Sequence, residues 1–243
     1  MSTDRATCEA HDKNLLTYRL NGLKTDKTPS LALPPGEGKG FTLAEVLITL
    51  GIIGIVAAAT LPILISNYRK HVVETRLKAA YSQLSQAISL SEIQNGELTS
   101  WEVIPGNYNQ QNEWINKYIA PYLEHTKVGR NWDPQYIKQD NGKVPYIKLK
   151  NGTIIYFHMG SYADFFIDIN GLQKPNKLGY DQFICNINIR NLNNTRKGLF
   201  MYGYIHITNH KTAVDICTRN SGMCGALIQY DGWKIKNDYP YKF

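Results

Sequence analysis

An uninterrupted apolar stretch restricts what this 243-residue chain can form more than any other feature does. Residues 46–65 carry no charge, and the run that begins at Phe41 reaches the roughly 20 residues that a membrane helix needs. The rest of the chain is polar and rich in Tyr, Asn and Lys. This contrast predicts one membrane segment joined to one globular domain.

The pattern after the apolar run changes without a break. Apolar residues recur at spacings of three and four between charged ones, which is typical of an amphipathic helix, and QNGE at residues 94–97 ends it. The residues on this face are Val73, Leu77, Tyr81, Leu84 and Ile88. We therefore predict a single helix of roughly 50 residues, some 75–80 Å long at 1.5 Å per residue.

Short β-rich runs dominate the remainder of the chain. Asn151-Gly152 joins two of them and is a strong hairpin signal, because this dipeptide favours a two-residue turn. The predicted strands lie within residues 144–150, 153–160, 163–171, 182–190 and 199–208. A helix is predicted over residues 112–124, and a short one within residues 224–235.

Glu45 is the single charged residue in the apolar segment, residues 41–65. An ionised carboxylate in a bilayer costs roughly 2.5–3.5 kcal/mol on insertion scales and is usually paired. No Lys, Arg or His lies within reach along the helix after Lys39, so a partner must come from another chain or from a new N-terminal amine. Cleavage between Gly40 and Phe41 would supply such an amine.

The stretch GKG followed by FTLAEVLITLGIIGIVAAATLP resembles the cleavage and methylation motif of type IV prepilins and type II secretion pseudopilins. In this resemblance Gly40 precedes the cut, Phe41 is the methylated first residue and Glu45 is the assembly carboxylate. Gly54 and Pro62 fall where the family has helix-loosening residues. Pro62 also removes one backbone donor from the helix.

The resemblance implies an α+β, type IV pilin-like fold, in which a long N-terminal helix with a membrane half and an amphipathic half packs on an antiparallel sheet. Its expected segments are a leader peptide (1–40), a transmembrane and polymerisation helix (41–66), an amphipathic helix (67–95) and a globular domain (96–243). The implied partners are the prepilin leader peptidase, other pilin or pseudopilin subunits and the bacterial inner membrane.

The family's orientation places the globular domain outside the cytoplasm, in a single-pass protein that later joins a periplasmic or surface filament. Arg69 and Lys70 follow the membrane segment on that outer side, which opposes the positive-inside tendency. Two other interpretations of the segment are a plain signal anchor and a secretory signal peptide cut near Ala57–Ala59. Neither requires Glu45, and the second leaves the amphipathic continuation without a purpose.

One polar loop, DINGLQKPNKLGYD, presents oxygen donors at Asp168, Asn170, Asn176 and Asp181. Such donors suit Ca²⁺, and major pseudopilins resemble this chain in having a calcium loop before their last strands. Asp, Asn and Gly are equally ordinary turn formers. A structural turn and a Ca²⁺ site therefore both remain open, and no cofactor is required.

The chain has four cysteines, and Cys8 lies in the expected leader. A bridge between Cys217 and Cys224 is predicted across a Gly-containing loop in an oxidising compartment, with Cys185 left over or competing. A zinc site from His206, His210 and these two cysteines is disfavoured, because residues 199–208 alternate like a strand.

The net charge of +7 is scattered, so nucleic acid is permitted as a partner but not indicated. No nucleophile elbow or phosphate-cradling glycine loop is present, and the sequence does not favour an enzyme. The predicted function is a structural subunit of a type II secretion pseudopilus or a type IV pilus. The alternative is a minor pilin that binds DNA or a surface.

Overall fold

The computed structural model describes residues 40–102, 104, 106–132, 144–160, 162–187, 189 and 198–243. The expected leader, with Cys8, therefore lies outside the described residues, apart from Gly40. Contacts divide the chain into two units, Met1–Thr49 and Leu50–Phe243.

Helix α1 covers Leu43–Asn95 and contains Pro62. Its buried residues lie only in the second half and repeat every three or four positions, as the amphipathic pattern predicts: Val73, Leu77, Ala80, Leu84, Ala87, Ile88 and Ser91. Tyr81 lies at the edge of this face. Its hydroxyl donates to the Leu199 carbonyl at 2.7 Å, and its ring lies 4.8 Å from that of Trp233.

A six-stranded antiparallel meander follows, in which each strand pairs with the next along the chain. The strands are β1 (His125–Trp132), β2 (Val144–Leu149), β3 (Ile154–Met159), β4 (Ala163–Asp168), β5 (Gln182–Ile187) and β6 (Leu199–Met201). The predicted hairpin is confirmed, because Ile147 faces Ile155 across β2 and β3 and Gly152 adopts a left-handed φ of 88° in the turn.

One face of this sheet shares a core with the second half of α1. Leu77 and Leu84 of the helix belong to the same buried cluster as Ile155, Phe157 and Phe165 of the sheet. The opposite face carries a smaller cluster of Val144, Tyr146, Ile154 and Tyr156. The predicted α+β class, a long helix on an antiparallel sheet, is confirmed.

Three shorter helices complete the described structure. They are α2 (Tyr108–Tyr118), α3 (His210–Arg219) and α4 (Cys224–Tyr230). Helix α2 begins four residues before the predicted position because Asn107 caps it, accepting a hydrogen bond from the Gln110 amide. Helix α3 was not predicted, since only Ala213 and Cys217 are buried on it and such a pattern is weak.

One predicted strand is shorter than expected, and one strand was not predicted. The predicted strand over residues 199–208 stops at Met201, whose amide donates to the Gln229 side chain of α4, and Gly203 then turns the chain into a 3₁₀ turn with a φ of 89°. Strand β1 was missed. It lies at the edge of the sheet, where a charged, Gly-containing sequence is tolerated.

Candidate functional site

The start of α1 places the predicted processing residues at the helix boundary. Gly40 and Phe41 precede the helix, and Phe41 is 86% exposed. Thr42 and Glu45 form a reciprocal capping box: the Thr42 amide donates to Glu45 Oε2 at 2.8 Å, and the Glu45 amide donates to Thr42 Oγ1 at 3.2 Å. This pair was not predicted, although the Thr-x-x-Glu spacing signals it.

The capping box supplies Glu45 with hydrogen-bond donors from its own chain. The carboxylate has local N–H and O–H donors, since Thr42 Oγ1 also lies 3.0 Å from Glu45 Oε2. Hydrogen bonds solvate the charge in part but do not neutralise it. Within the described part of the chain no cation forms an ion pair with Glu45. Glu45 therefore has hydrogen-bond donors but no counter-charge among the described residues.

The apolar segment itself is uncovered. Its large side chains are 43–81% exposed over residues 43–65, and α1 is long and apolar enough to cross a membrane. Gly54 has open space where a Cβ would lie, and Pro62 leaves the Ala58 carbonyl without its usual helical donor. The segment is thus a smooth apolar helix surface with a weakened backbone ladder near Pro62.

The predicted oxygen-donor loop is brought together by hydrogen bonds. Asp181 is the centre: one carboxylate oxygen accepts from the Asn176 amide at 2.7 Å and from Asn170 Nδ2 at 3.1 Å, and the other accepts from the Lys177 amide at 2.6 Å. Asp168 is buried and accepts from the Asn170 amide at 3.2 Å and from Gln182 Nε2 at 3.0 Å.

These contacts show what the loop can do chemically. Burial raises the pKa of Asp168 to about 6, with the nearby Asp181 carboxylate adding to the effect. Amide donors already occupy both carboxylates, as in a hydrogen-bonded turn, whereas Ca²⁺ takes six to eight oxygens. One buried acceptor, Asn170 Oδ1, lacks a partner among the described residues. The Ca²⁺ site stays a prediction.

Two of the cysteines lie where α3 and α4 meet. Cys217 and Cys224 form a disulfide, and Cys185 is a buried free thiol on β5. His210 starts α3 and points elsewhere: its ring nitrogens lie 2.8 Å from Asp231 Oδ1 and 2.7 Å from Asp238 Oδ2. No metal-binding cluster of three or more His, Cys, Asp or Glu residues occurs in the described ranges.

The His210 cluster is a feature that the sequence analysis missed. Hydrogen bonds to Asp238 and Asp231 raise the pKa of His210, and Lys236 also lies 2.7 Å from Asp231. Asp231 and Asp238 lie 21 and 28 residues after His210, so no local sequence spacing signals the cluster. Their role is to tie the C-terminal segment to the start of α3.

Comparison with known proteins gives two family matches. The prokaryotic N-terminal methylation motif matches residues 38–61, which include Gly40, Phe41 and Glu45. A second family, described as a family of unknown function (DUF6613), matches residues 63–243. No curated protein and no solved structure matches the chain.

The first match confirms the resemblance to type IV prepilins and pseudopilins, and with the uncovered apolar helix it indicates a membrane-anchored, single-pass subunit of the pilin type. Processing by a peptidase and association with other pilin subunits follow from the same motif. The second match covers most of the chain, including the amphipathic half of α1 and the whole sheet. The chain therefore belongs to the family DUF6613 and carries a prepilin-type methylation motif at the start of its long helix.

Proposed function

We propose that this chain is cleaved after Gly40, methylated on Phe41 and assembled into the filament of a type II secretion pseudopilus or a type IV pilus. One observation carries the proposal: the methylation motif lies on the first half of α1, where the large apolar side chains over residues 43–65 are exposed in the described chain. The globular domain would lie outside the cytoplasm, held by the membrane segment before assembly and displayed on the filament after it.

The exposed helix supports assembly through burial of apolar surface. Ile55 is 73% exposed and Ile63 is 66% exposed, and transfer of such side chains out of water yields about 25 cal/mol per Å². A bilayer provides this burial for the single subunit. A bundle of equivalent helices provides it for a subunit that leaves the bilayer, so a filament of like chains is the partner that fits.

Glu45 would then set the register of neighbouring helices. A neighbour's methylated amine at Phe41 carries a positive charge, which would neutralise the carboxylate that Thr42 only hydrogen-bonds. Charge pairing and helix capping are separable here, because a glutamine at position 45 keeps the capping pattern but removes the charge.

Three variants separate the two roles. We expect E45Q and E45A to be cleaved normally but to fail in filament assembly, and T42V, which weakens the cap but keeps the charge, to assemble. Filaments sheared from cells and quantified by immunoblot provide the measurement. Normal assembly of E45Q would show that the cap matters and not the charge.

Mass spectrometry of the protein from its native membranes tests the processing step directly. A mature chain beginning at N-methylated Phe41 is expected, and G40S should accumulate as the uncleaved precursor in the membrane. Wild-type protein that still carries residues 1–40 would overturn the proposal, since the helix would then be a signal anchor.

A further inference from the structure

A cationic cavity opens beside α1 directly after the membrane segment. Its volume is about 640 Å³, within the roughly 300–1,000 Å³ of typical ligand sites. Three stretches of the globular unit line it: the α1 turns around Tyr68 to Arg76, the loop at residues 169–181 and the last residues of the chain. We call this space the juxtamembrane cavity.

Four cations line the juxtamembrane cavity: Arg69, Arg76, Lys174 and Lys242. Arg69 and Arg76 are seven residues apart on α1 and so share one helix face. Arg76 is held in place by a hydrogen bond from its Nη1 to the Ile169 carbonyl at 3.3 Å. Among the residues that the structure describes, none of the four forms an ion pair.

Asp181 is the one acidic side chain in the lining, so four cations and one carboxylate leave the lining side chains with a net charge of +3. Asp181 is buried, and the Asn170 side chain and the Asn176 and Lys177 amides already donate to it. The cavity thus gathers positive charge from three separate segments, and its four cations outnumber the one acidic side chain among the described lining residues. Such an arrangement favours an anionic ligand.

The position of the cavity along α1 indicates which kind of anionic ligand it would bind. The charge-free run ends at Ile65, and Arg69 follows only about 6 Å further along the helix at 1.5 Å per residue. Tyr68, also in the lining, is 67% exposed, and tyrosines are enriched where a membrane meets water. If the charge-free run spans a bilayer, the cavity would lie at the depth of the lipid headgroups.

We propose that the juxtamembrane cavity binds the phosphate of an anionic phospholipid headgroup in the membrane that anchors the chain. Arginines and lysines are the residues that bind phosphate oxygens best, and two of the four cations are arginines. The proposal accounts for basic residues on the outer side of the membrane segment, which the positive-inside tendency disfavours. It rests on membrane anchoring and not on filament assembly.

Lipid binding to the full-length protein in detergent tests the proposal. The protein is titrated with phosphatidylglycerol or phosphatidylcholine, and bound lipids are counted by native mass spectrometry. We expect phosphatidylglycerol to bind at least about 10-fold more tightly than phosphatidylcholine. The K174Q/K242Q variant should bind phosphatidylglycerol at least about 10-fold more weakly than the wild type does. Both lysines are exposed, and the variant should melt at the wild-type temperature without lipid.

A matched variant provides the control. K148Q/K211Q removes the same charge from two exposed lysines that do not line the cavity, and it should change phosphatidylglycerol affinity less than about twofold. Equal losses in the two variants, or equal affinity for the two lipids, would overturn the proposal, since the attraction would then belong to the whole basic surface or be absent.

Two further outcomes would identify a different occupant. Displacement of phosphatidylglycerol by an equal concentration of glycerol phosphate would show a soluble phosphate site and overturn the membrane-lipid assignment. Unchanged lipid binding in K174Q/K242Q with lost filament assembly would assign the cavity to a carboxylate of a neighbouring copy. The lipid measurement does not depend on cleavage after Gly40, so its failure and that of the filament proposal are distinguishable.

Discussion

Two acidic clusters in the globular unit show how single side chains couple stability to pH. His210 lies between Asp231 and Asp238, and buried Asp168 lies beside Asp181. In both places the folded state favours the protonated form of the titrating group. Deprotonation of His210 and of Asp168 should therefore each make the domain less stable as the pH rises, in two different pH ranges.

For His210 we expect a loss of stability above neutral pH. Its pKa is raised by hydrogen bonds to Asp238 and Asp231, so the stabilisation is complete below the ordinary value of about 6.5 and is lost as the pH rises through the folded-state value. The melting temperature of the full-length protein should fall between pH 6 and 9. H210Q should flatten this fall, whereas H206Q, at an exposed neighbouring histidine, should not.

For Asp168 the relevant range lies lower. Its folded-state pKa is about 6 against 3.8, so the folded state should lose about 1–3 kcal/mol of stability as the pH rises between these values. D168N mimics the neutral acid and should remove this dependence in urea unfolding with EDTA present. An unchanged pH dependence in D168N would contradict the assignment.

The same variant decides the calcium prediction. If Asp168 and Asp181 hold Ca²⁺, adding the ion should raise the melting temperature of the wild type and leave D168N unaffected. An identical response of both proteins would leave the loop as the hydrogen-bonded turn that its amide contacts form.

Helix α1 has two halves that differ in what covers them. The first half exposes its apolar side chains, and the second half buries a stripe against the sheet. The stripe was predictable, because three- and four-residue spacing is a local property of the chain. The end of strand β6 was not, because a contact with Gln229 of α4 and a left-handed Gly203 decide where it stops.

Paired leucines on α1 measure the contribution of the buried stripe. Leu77 is fully buried, and L77A should lower the free energy of unfolding by about 2–5 kcal/mol because it leaves a cavity. Leu90 is 50% exposed, and L90A should change the free energy of unfolding by less than about 0.5 kcal/mol. Thermal unfolding of full-length protein in detergent gives both values. Equal effects would contradict the packing of this helix face on the sheet.

In the part of the molecule that the structure describes, a helix long and apolar enough to cross a membrane precedes a disulfide-containing domain. A disulfide persists in an oxidising compartment, so it agrees with a domain outside the cytoplasm, as does the orientation implied by the prepilin motif. Arg69 and Lys70 on the same side are the exception, and Arg69 lines the juxtamembrane cavity, where the proposed lipid phosphate would bind.

Labelling of an introduced cysteine tests this orientation. Lys211 is exposed on α3, and K211C should react with a membrane-impermeant maleimide in intact spheroplasts as fully as after lysis. The wild type controls for Cys185, which is buried, and for Cys8 in any uncleaved precursor, and its labelling is subtracted in both samples. Labelling of K211C only after lysis would place the domain in the cytoplasm and contradict the proposed topology.

The sequence by itself determined the membrane run, the processing motif around Gly40 and Glu45, the amphipathic stripe and the hairpin at Asn151-Gly152. Each depends on residues within a few positions of one another, so backbone geometry alone relates the pattern to the structure. The tertiary structure decided the rest. His210 meets Asp231 and Asp238, and Arg69 meets Lys174 and Lys242 around one cavity, because the packing of distant segments brings them together. Which distant residues come together depends on where each segment ends and which face it buries, and no local sequence spacing encodes this.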